Sequence, residues 1–141
     1  MIEYGAVFHV AGVPALHAVA EKDRYVVVID PRVGPADAPV PLGVLCVIPS
    51  ATAVGPSRIE LPHHGRTGFA RQCWAVPEWV VQVMPCWLNN RVGALTRLEL
   101  KPTADAIAKL IASGHFRDHP PQVLQCPPPE GRQCEHCRRA R

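Results

Sequence analysis

The stretch that decides the fold runs from Leu42 to Ala51 and reads Leu-Gly-Val-Leu-Cys-Val-Ile-Pro-Ser-Ala. It is a continuous apolar run of strand length, rich in β-branched residues and without the polar face of a surface helix, so it predicts a buried central strand. A second run, Tyr25 to Ile29, has the same character. Arg24 stands just before that run, and Ser50 lies near the end of the first. Pairing of the two strands would bring both polar side chains to one rim, where we expect a functional site.

Composition limits what this core can be. The chain has 141 residues, of which 48% are hydrophobic, and this predicts one domain with a real core plus a tail. The formal charge of +3 is smaller than that of a dedicated duplex-DNA binder. The start of the chain carries no basic segment followed by an apolar one, and nowhere are there about 18 consecutive apolar residues. We therefore expect a cytoplasmic protein that does not bind membranes.

Further patterns predict many short strands and one helix. Alternation predicts a first strand over Tyr4 to Ala11 and a half-exposed strand over Val92 to Leu100, and Pro77 is expected to separate two more short strands. An apolar stripe predicts a helix from Thr103 to Ser113 that stops at Gly114. The fold class is therefore mainly β with a C-terminal helix, a small, partly open barrel over residues 1–116. Residues 117–141 form a basic tail rich in proline and cysteine.

The order of the pieces matches a known family. They are Gly5-Ala-Val-Phe, Arg24-Tyr-Val-Val-Val-Ile, Val44 to Ser50, Thr67-Gly-Phe, and Arg91-Val-Gly-Ala-Leu-Thr followed by the helix. In this order the chain resembles the PemK/MazF-like toxins of bacterial toxin–antitoxin systems, from about Gly5 to Ile111. The resemblance implies an SH3-like barrel, a homodimer, and metal-independent endoribonuclease activity on single-stranded RNA, with no cofactor for catalysis. It also implies a cognate antitoxin peptide as partner.

The resemblance assigns roles to some residues, while other catalytic residues of the family have no counterpart in this chain. Arg24 falls on the family's catalytic arginine, and Ser50 falls where the family usually has a catalytic threonine. The matching run Trp79-Val-Val-Gln-Val lacks a further arginine and aspartate found in many members. Attack by a 2′-hydroxyl needs a base, an acid and a cation that stabilises the phosphorane. Arg24 supplies the cation, Ser50 a hydrogen bond, and the base and acid would come from a small set of loop residues: His17, Glu21, His63 and His64.

Other interpretations of these residues stay open. Arg24 could instead be a solvated or salt-bridged surface residue, and the hydroxyl of Ser50 could instead stabilise a turn. Arg66, Arg71 and Trp79 are the candidates for RNA contact, although a tryptophan in a small domain is more often part of the core. The alternative function is a non-catalytic member of the same fold that binds RNA, or that blocks a protein target as the related gyrase poisons do.

Six cysteines divide into two groups. Cys46, Cys73 and Cys86 lie singly in apolar segments, and in a reducing cytosol we expect them to be small buried hydrophobic residues. The tail has the pattern Cys126-x7-Cys134-x2-Cys137, in which a Cys-x2-Cys pair presents two thiolates to one tetrahedral zinc. With His119 as the preferred fourth ligand, this predicts a structural zinc knuckle; a flexible reduced tail and a disulfide are the alternatives. Separately, the three tryptophans and long apolar strands favour a homodimer.

Overall fold

A computed structural model of the chain describes residues 2–13, 22–30, 44–55 and 57–124. The strands in these ranges are β1 (Ala6–Val13), β2 (Lys22–Asp30), β3 (Val44–Ser50), β4 (Ile59–Glu60), β5 (Trp74–Val83), β6 (Arg91–Ala94) and β7 (Gln122–Leu124). The helices are α1 (Arg97–Ala112), α2 (His115–Asp118) and a single 3₁₀ turn, Pro85–Trp87.

The strands form one sheet around β3. Their order is β4-β5-β3-β2-β1-β6, with antiparallel neighbours throughout, and β7 adds to β5 in parallel. The prediction of a buried central strand at β3 is confirmed, since β3 pairs with β2 on one side and β5 on the other. Cys46 and Ile48 belong to one apolar cluster, while Val47 belongs to a second cluster on the opposite face. Because both faces are buried, the strand has a continuous apolar sequence.

The sheet curls so that its two ends approach each other. The Ala94 N–H of β6 donates to the Arg66 carbonyl, 2.9 Å away, in the loop that follows β4. Gly68 in that loop has φ +77°, and a Cβ there would collide with the Val92 carbonyl, so only glycine allows this close approach. The protein is therefore mainly β, with a curled and largely antiparallel sheet and few helices, as expected for a small barrel.

The expected strand from Val92 to Leu100 is wrong, and so is the expected start of the helix at Thr103. The strand ends at Ala94 and α1 begins at Arg97. Thr96 caps the helix: its hydroxyl accepts from Glu99 N at 3.1 Å, and its own N–H donates to Glu99 Oε1 at 2.9 Å. This capping box stabilises a helical first turn in which Leu98 is 80% exposed.

Two prolines lie inside regular elements: Pro77, which was expected to separate two strands, and Pro102, which directly precedes the expected helix start at Thr103. Pro102 lies in the second turn of α1, where it removes only one helical hydrogen bond. Pro77 lies within β5, which continues across it. The β3–β5 register shifts between the pairs Val47↔Val80 and Pro49↔Ala75. Pro77 falls in this irregular part of the ladder, where its missing N–H is tolerated.

The chain beyond α1 is joined to the sheet. Val83 and Leu124 are register partners in β5 and β7, and Met84 N donates to the Leu124 carbonyl at 3.0 Å. The tail expected over residues 117–141 therefore contributes a strand, β7, to the sheet, although the division of the chain at residue 116 stays a prediction. None of the helices in the described ranges is long and apolar enough to cross a membrane.

The three isolated cysteines differ from one another. Cys46 and Cys73 are buried and free, as expected, and burial raises the pKa of both thiols. Cys86 is disulfide-bonded, so its expected role as a buried free thiol is wrong, and its partner is not among the described residues. Disulfides persist mainly in oxidising compartments, so this bond counts against the cytoplasmic location, which stays a prediction.

Candidate active site

Arg24 and Ser50 meet at one rim of the sheet, as the two apolar runs predicted. Val27 pairs with Val47, and from that pair the two strands run to the rim where Arg24 and Ser50 line the same cleft. Each residue is only 8% exposed. They line one cleft of about 420 Å³, which we call the Arg24 cleft; its walls are formed by His9, Asp23, Arg24, Tyr25, Pro49, Ser50, Ala51, Thr52, Arg58, Arg71, Cys73 and Trp79.

The cleft is positively charged. Three arginines line it, Arg24, Arg58 and Arg71, against one carboxylate, Asp23. Asp23 Oδ1 accepts from Gly12 N at 2.9 Å, which fixes the carboxylate at the end of β2. Burial lowers the pKa of Arg24 because desolvation disfavours the charged form, yet a guanidinium remains a cation at any pH the protein meets. The excess of cations favours an anionic ligand.

An aromatic face adjoins these cations. The guanidinium carbon of Arg58 lies 5.0 Å from the centre of the Trp79 ring, within range of a cation–π contact. The buried Nε of Arg58 has no hydrogen-bond partner within the described part of the chain. Trp79 is only half-buried and also packs against the core. The pair therefore offers a hydrogen-bond donor and a stacking surface side by side.

Ser50 orders the loop that closes the cleft. Its Oγ accepts from Thr52 N at 3.2 Å and donates to the Thr52 carbonyl at 3.4 Å, and Thr52 Oγ1 accepts in turn from Val54 N. These contacts are those of a turn hydroxyl, which was the alternative interpretation of this residue. The second lone pair of Ser50 Oγ remains able to accept a further hydrogen bond.

Tyr25 positions both His9 and Arg71. His9 is the register partner of Tyr25, and their rings meet edge to face with centroids 5.5 Å apart. Tyr25 makes a second edge-to-face contact with Phe69 at 5.3 Å, and its hydroxyl accepts from Ala70 N at 3.0 Å. The tyrosine thus fixes the loop that presents Arg71 and holds the His9 ring at the wall of the cleft.

His64 and Arg66 belong to a different place, which we call the Glu99 cluster: His64, Arg66, Thr96 and Glu99. Arg66 donates to Glu99 through Nη1 at 3.1 Å and Nη2 at 3.3 Å, and His64 Nε2 lies 2.9 Å from Oε2. Donation from the Thr96 N–H, then from His64, lowers the pKa of Glu99 to about 2. The cluster fastens the loop after β4 to the first turn of α1, and its residues do not line the Arg24 cleft.

The other proposed site residues are dispersed. His63 is exposed on the same loop as His64, and it does not line the cleft either. His17, Glu21, Cys126, Cys134 and Cys137 lie outside the described residues, so the tail zinc site stays a prediction. His119 lines a second cleft. Within the described ranges, no group of three or more His, Cys, Asp or Glu side chains is arranged to hold a metal ion.

Sequence patterns missed three polar residues of the Arg24 cleft: His9, Asp23 and Arg58. His9 was recognised only as a member of the alternating first strand. Its place in the cleft could have been found from the pairing of β1 with β2. In that pairing His9 is the register partner of Tyr25, the residue that follows Arg24. Arg58 gave no such signal, because β4 has only two residues and its pairing with β5 is not visible in the sequence.

The sequence was compared with protein-family models and with curated proteins. No family model matches the chain, and no curated protein sequence matches it.

Proposed function

We propose that the protein is a toxin-type endoribonuclease of the PemK/MazF-like kind, built on an SH3-like barrel, that cuts single-stranded RNA in the Arg24 cleft. The observation that carries the proposal is the cleft itself: Arg58, Arg71 and the face of Trp79 line it together with a buried Arg24 and Ser50. These are the two positions at which the sequence resembles the catalytic pair of that family.

The composition of the cleft favours a single strand over a duplex. Arginines attract the phosphate backbone, and an accessible aromatic face stacks on a base only when the base is unpaired. Trp79 supplies that face, and Arg71 is an exposed cation beside it. A duplex hides its bases and would leave Trp79 without a stacking partner.

The chemistry is attack of a ribose 2′-hydroxyl on the neighbouring phosphorus. The new O–P bond forms as the 5′-oxygen leaves, which gives a 2′,3′-cyclic phosphate; the 2′-hydroxyl loses a proton and the leaving oxygen gains one. Arg24 stabilises the charge on the phosphorane, and Ser50 holds the rim loop in place. His9 is the histidine that lines the cleft in the described chain, and we assign it to proton transfer.

Cleavage of RNA by the full chain tests this proposal. The purified protein in EDTA is incubated with a mixed pool of single-stranded RNA, and we expect fragments that end in 2′,3′-cyclic phosphate. Arg24→Ala should lose about 3 kcal/mol of transition-state stabilisation, a rate loss of roughly a hundredfold. Arg66→Ala is the matched control, because it removes the same side chain from the Glu99 cluster and should cut at nearly the wild-type rate.

Two outcomes would refute the enzyme. A folded wild-type protein that leaves the RNA pool uncut, but still binds it, would be a non-catalytic RNA-binding member of the fold. Equal cutting by Arg24→Ala and wild type would place the active site elsewhere. The antitoxin peptide, the homodimer and the tail zinc belong to the same proposal, and light scattering at micromolar concentration tests the dimer against the 15.4 kDa mass of one chain.

A further inference from the structure

Trp79 also lines a second cleft. It has a volume of about 520 Å³ and is open to solvent, and its lining residues are Glu78, Trp79, His115, Asp118, His119, Pro120 and Gln122. Its chemistry is unlike that of the Arg24 cleft, because its lining within the described ranges holds two imidazoles and two carboxylates and no arginine. Such a lining disfavours phosphate and suits a cation.

The two histidines are held at a fixed separation. His115 begins α2, and His119 follows one turn later, with its N–H donating to the His115 carbonyl at 2.7 Å. His119 is the C-cap residue of α2, with φ −129° and ψ 75°, and its ring lies beside that of His115. Their ring centroids are 5.0 Å apart and their planes differ by 36°. Phe116 packs edge-on against the His115 ring at 5.0 Å and restricts its orientation.

That separation matches two imidazoles bound to one metal ion. A Zn–N bond of about 2.0–2.1 Å puts each ring centroid about 3.2 Å from the ion. At N–metal–N angles of roughly 90–110°, the two centroids are then about 4.5–5.2 Å apart. The observed 5.0 Å lies within this interval.

We infer that His115 and His119 form a two-point chelate for a divalent transition-metal ion of the zinc, nickel and copper class. Water completes the coordination, and the Glu78 or Asp118 carboxylate joins it after rotation, since within the described chain no third ligand is already in place. Imidazole nitrogen favours these ions over magnesium and calcium, which prefer oxygen ligands. The site pairs His119 with His115, so this chelate and the tail zinc knuckle, which would use the same histidine, are alternatives that the variants below distinguish.

The position of the chelate gives it a structural consequence. His119 leads through Pro120 and Pro121 into β7, which pairs with β5 at the edge of the sheet. Glu78 and Trp79 belong to β5. An ion bound between the two histidines and Glu78 would therefore fasten the segment before β7 onto β5. Ion binding should raise the melting temperature of the chain.

Titration of the full chain with Ni²⁺ tests the inference, by calorimetry and by melting temperature. The variants are His115→Ala, His119→Ala and, as a matched control on an exposed loop, His63→Ala. Loss of either ring turns a chelate into a single contact, so both variants should bind Ni²⁺ at least about tenfold more weakly. His63→Ala should match the wild type. Mg²⁺ should give no heat.

The histidine variants also separate this site from a tail site, because the tail cysteines are present in all of them. Loss of binding in His119→Ala but not in His115→Ala would overturn the chelate and favour the zinc knuckle. Equal binding by all the proteins would overturn it as well. RNA cleavage is not a readout here, so failure of the proposed nuclease and failure of the chelate are distinguishable.

Discussion

The Arg24 cleft and the Glu99 cluster contain the same kinds of side chain, arginine and histidine, in opposite electrostatic situations. In the cleft, three arginines and one carboxylate, that of Asp23, line the walls within the described part of the chain. In the cluster, one carboxylate accepts from Arg66, from His64 and from the backbone of Thr96. The described lining of the first place has more cations than carboxylates, while the second place uses its charges to join a loop to a helix.

The comparison shows why a basic loop is a poor guide to function when only its sequence is known. His63, His64 and Arg66 were attractive candidates because they are close together in a turn-rich loop. The residue that engages two of them, Glu99, lies more than thirty positions later in the chain. A cation is available to a ligand only when no carboxylate in the fold already holds it, and that depends on tertiary structure.

The largest effect on RNA affinity is expected at Trp79. Trp79→Ala removes the stacking face of the cleft and should weaken binding of a single-stranded RNA by about 1–3 kcal/mol, roughly tenfold to a hundredfold. Trp79→Phe keeps a ring and should recover most of the affinity. Fluorescence anisotropy of a labelled oligonucleotide measures both. If the alanine variant is folded and binds as well as the wild type, the base does not stack in this cleft.

A smaller effect is expected at Arg71, an exposed cation of the cleft. Arg71→Ala should weaken RNA binding regardless of sequence, and it should reduce the slope of log affinity against log salt by about 0.7, the value for one phosphate on a single strand. Arg66→Ala, which removes a cation already paired with Glu99, should leave the slope unchanged. Equal salt slopes for Arg71→Ala and Arg66→Ala would contradict the claim that RNA binds in the Arg24 cleft and not at the Glu99 cluster.

The smallest effect concerns stability alone. The low pKa of Glu99 in the folded state means that its ionised form stabilises the fold, so this contribution is complete above about pH 4.5 and is lost as pH falls toward about 2. Glu99→Gln keeps a side-chain oxygen for the helix cap but loses the negative charge that His64 and Arg66 contact, so it should unfold more easily at pH 7 by at most about 1 kcal/mol. Its stability should depend less on pH in the acid range. Denaturant titrations at several pH values measure this, with RNA affinity unchanged.

The fold was predictable wherever one local pattern had a single interpretation. The run over β3 has no polar face, so it could only be a buried strand, and its two neighbours followed. The sequence from Val92 to Leu100 has two interpretations. It fits one continuous strand with alternating apolar residues, and it also fits the end of a strand followed by the capped first turn of a helix. The capping pair Thr96 and Glu99 was the deciding signal, and Pro102 concealed it by marking a later start.

The candidate site, like the fold, was predictable only where a local sequence pattern had a single interpretation. Arg24 and Ser50 flank two runs whose pairing was foreseen, and they do meet at one rim. Arg58 and His9 reach the cleft through pairings of β4 with β5 and of β1 with β2, whose registers no local pattern fixes. The disulfide at Cys86 was also missed, because the connectivity of cysteines cannot be deduced from their spacing alone.

Photo-crosslinking tests most directly whether RNA lies in the Arg24 cleft. A single-stranded RNA that carries a photoreactive uridine is irradiated with the full chain, and the reduced protein is digested with trypsin and analysed by mass spectrometry. Cleavage after arginine separates residues 59–66, with His63 and His64, from residues 72–91, with Trp79. We predict crosslinks on residues 72–91 that Arg24→Ala diminishes. Crosslinks confined to residues 59–66 would contradict the account.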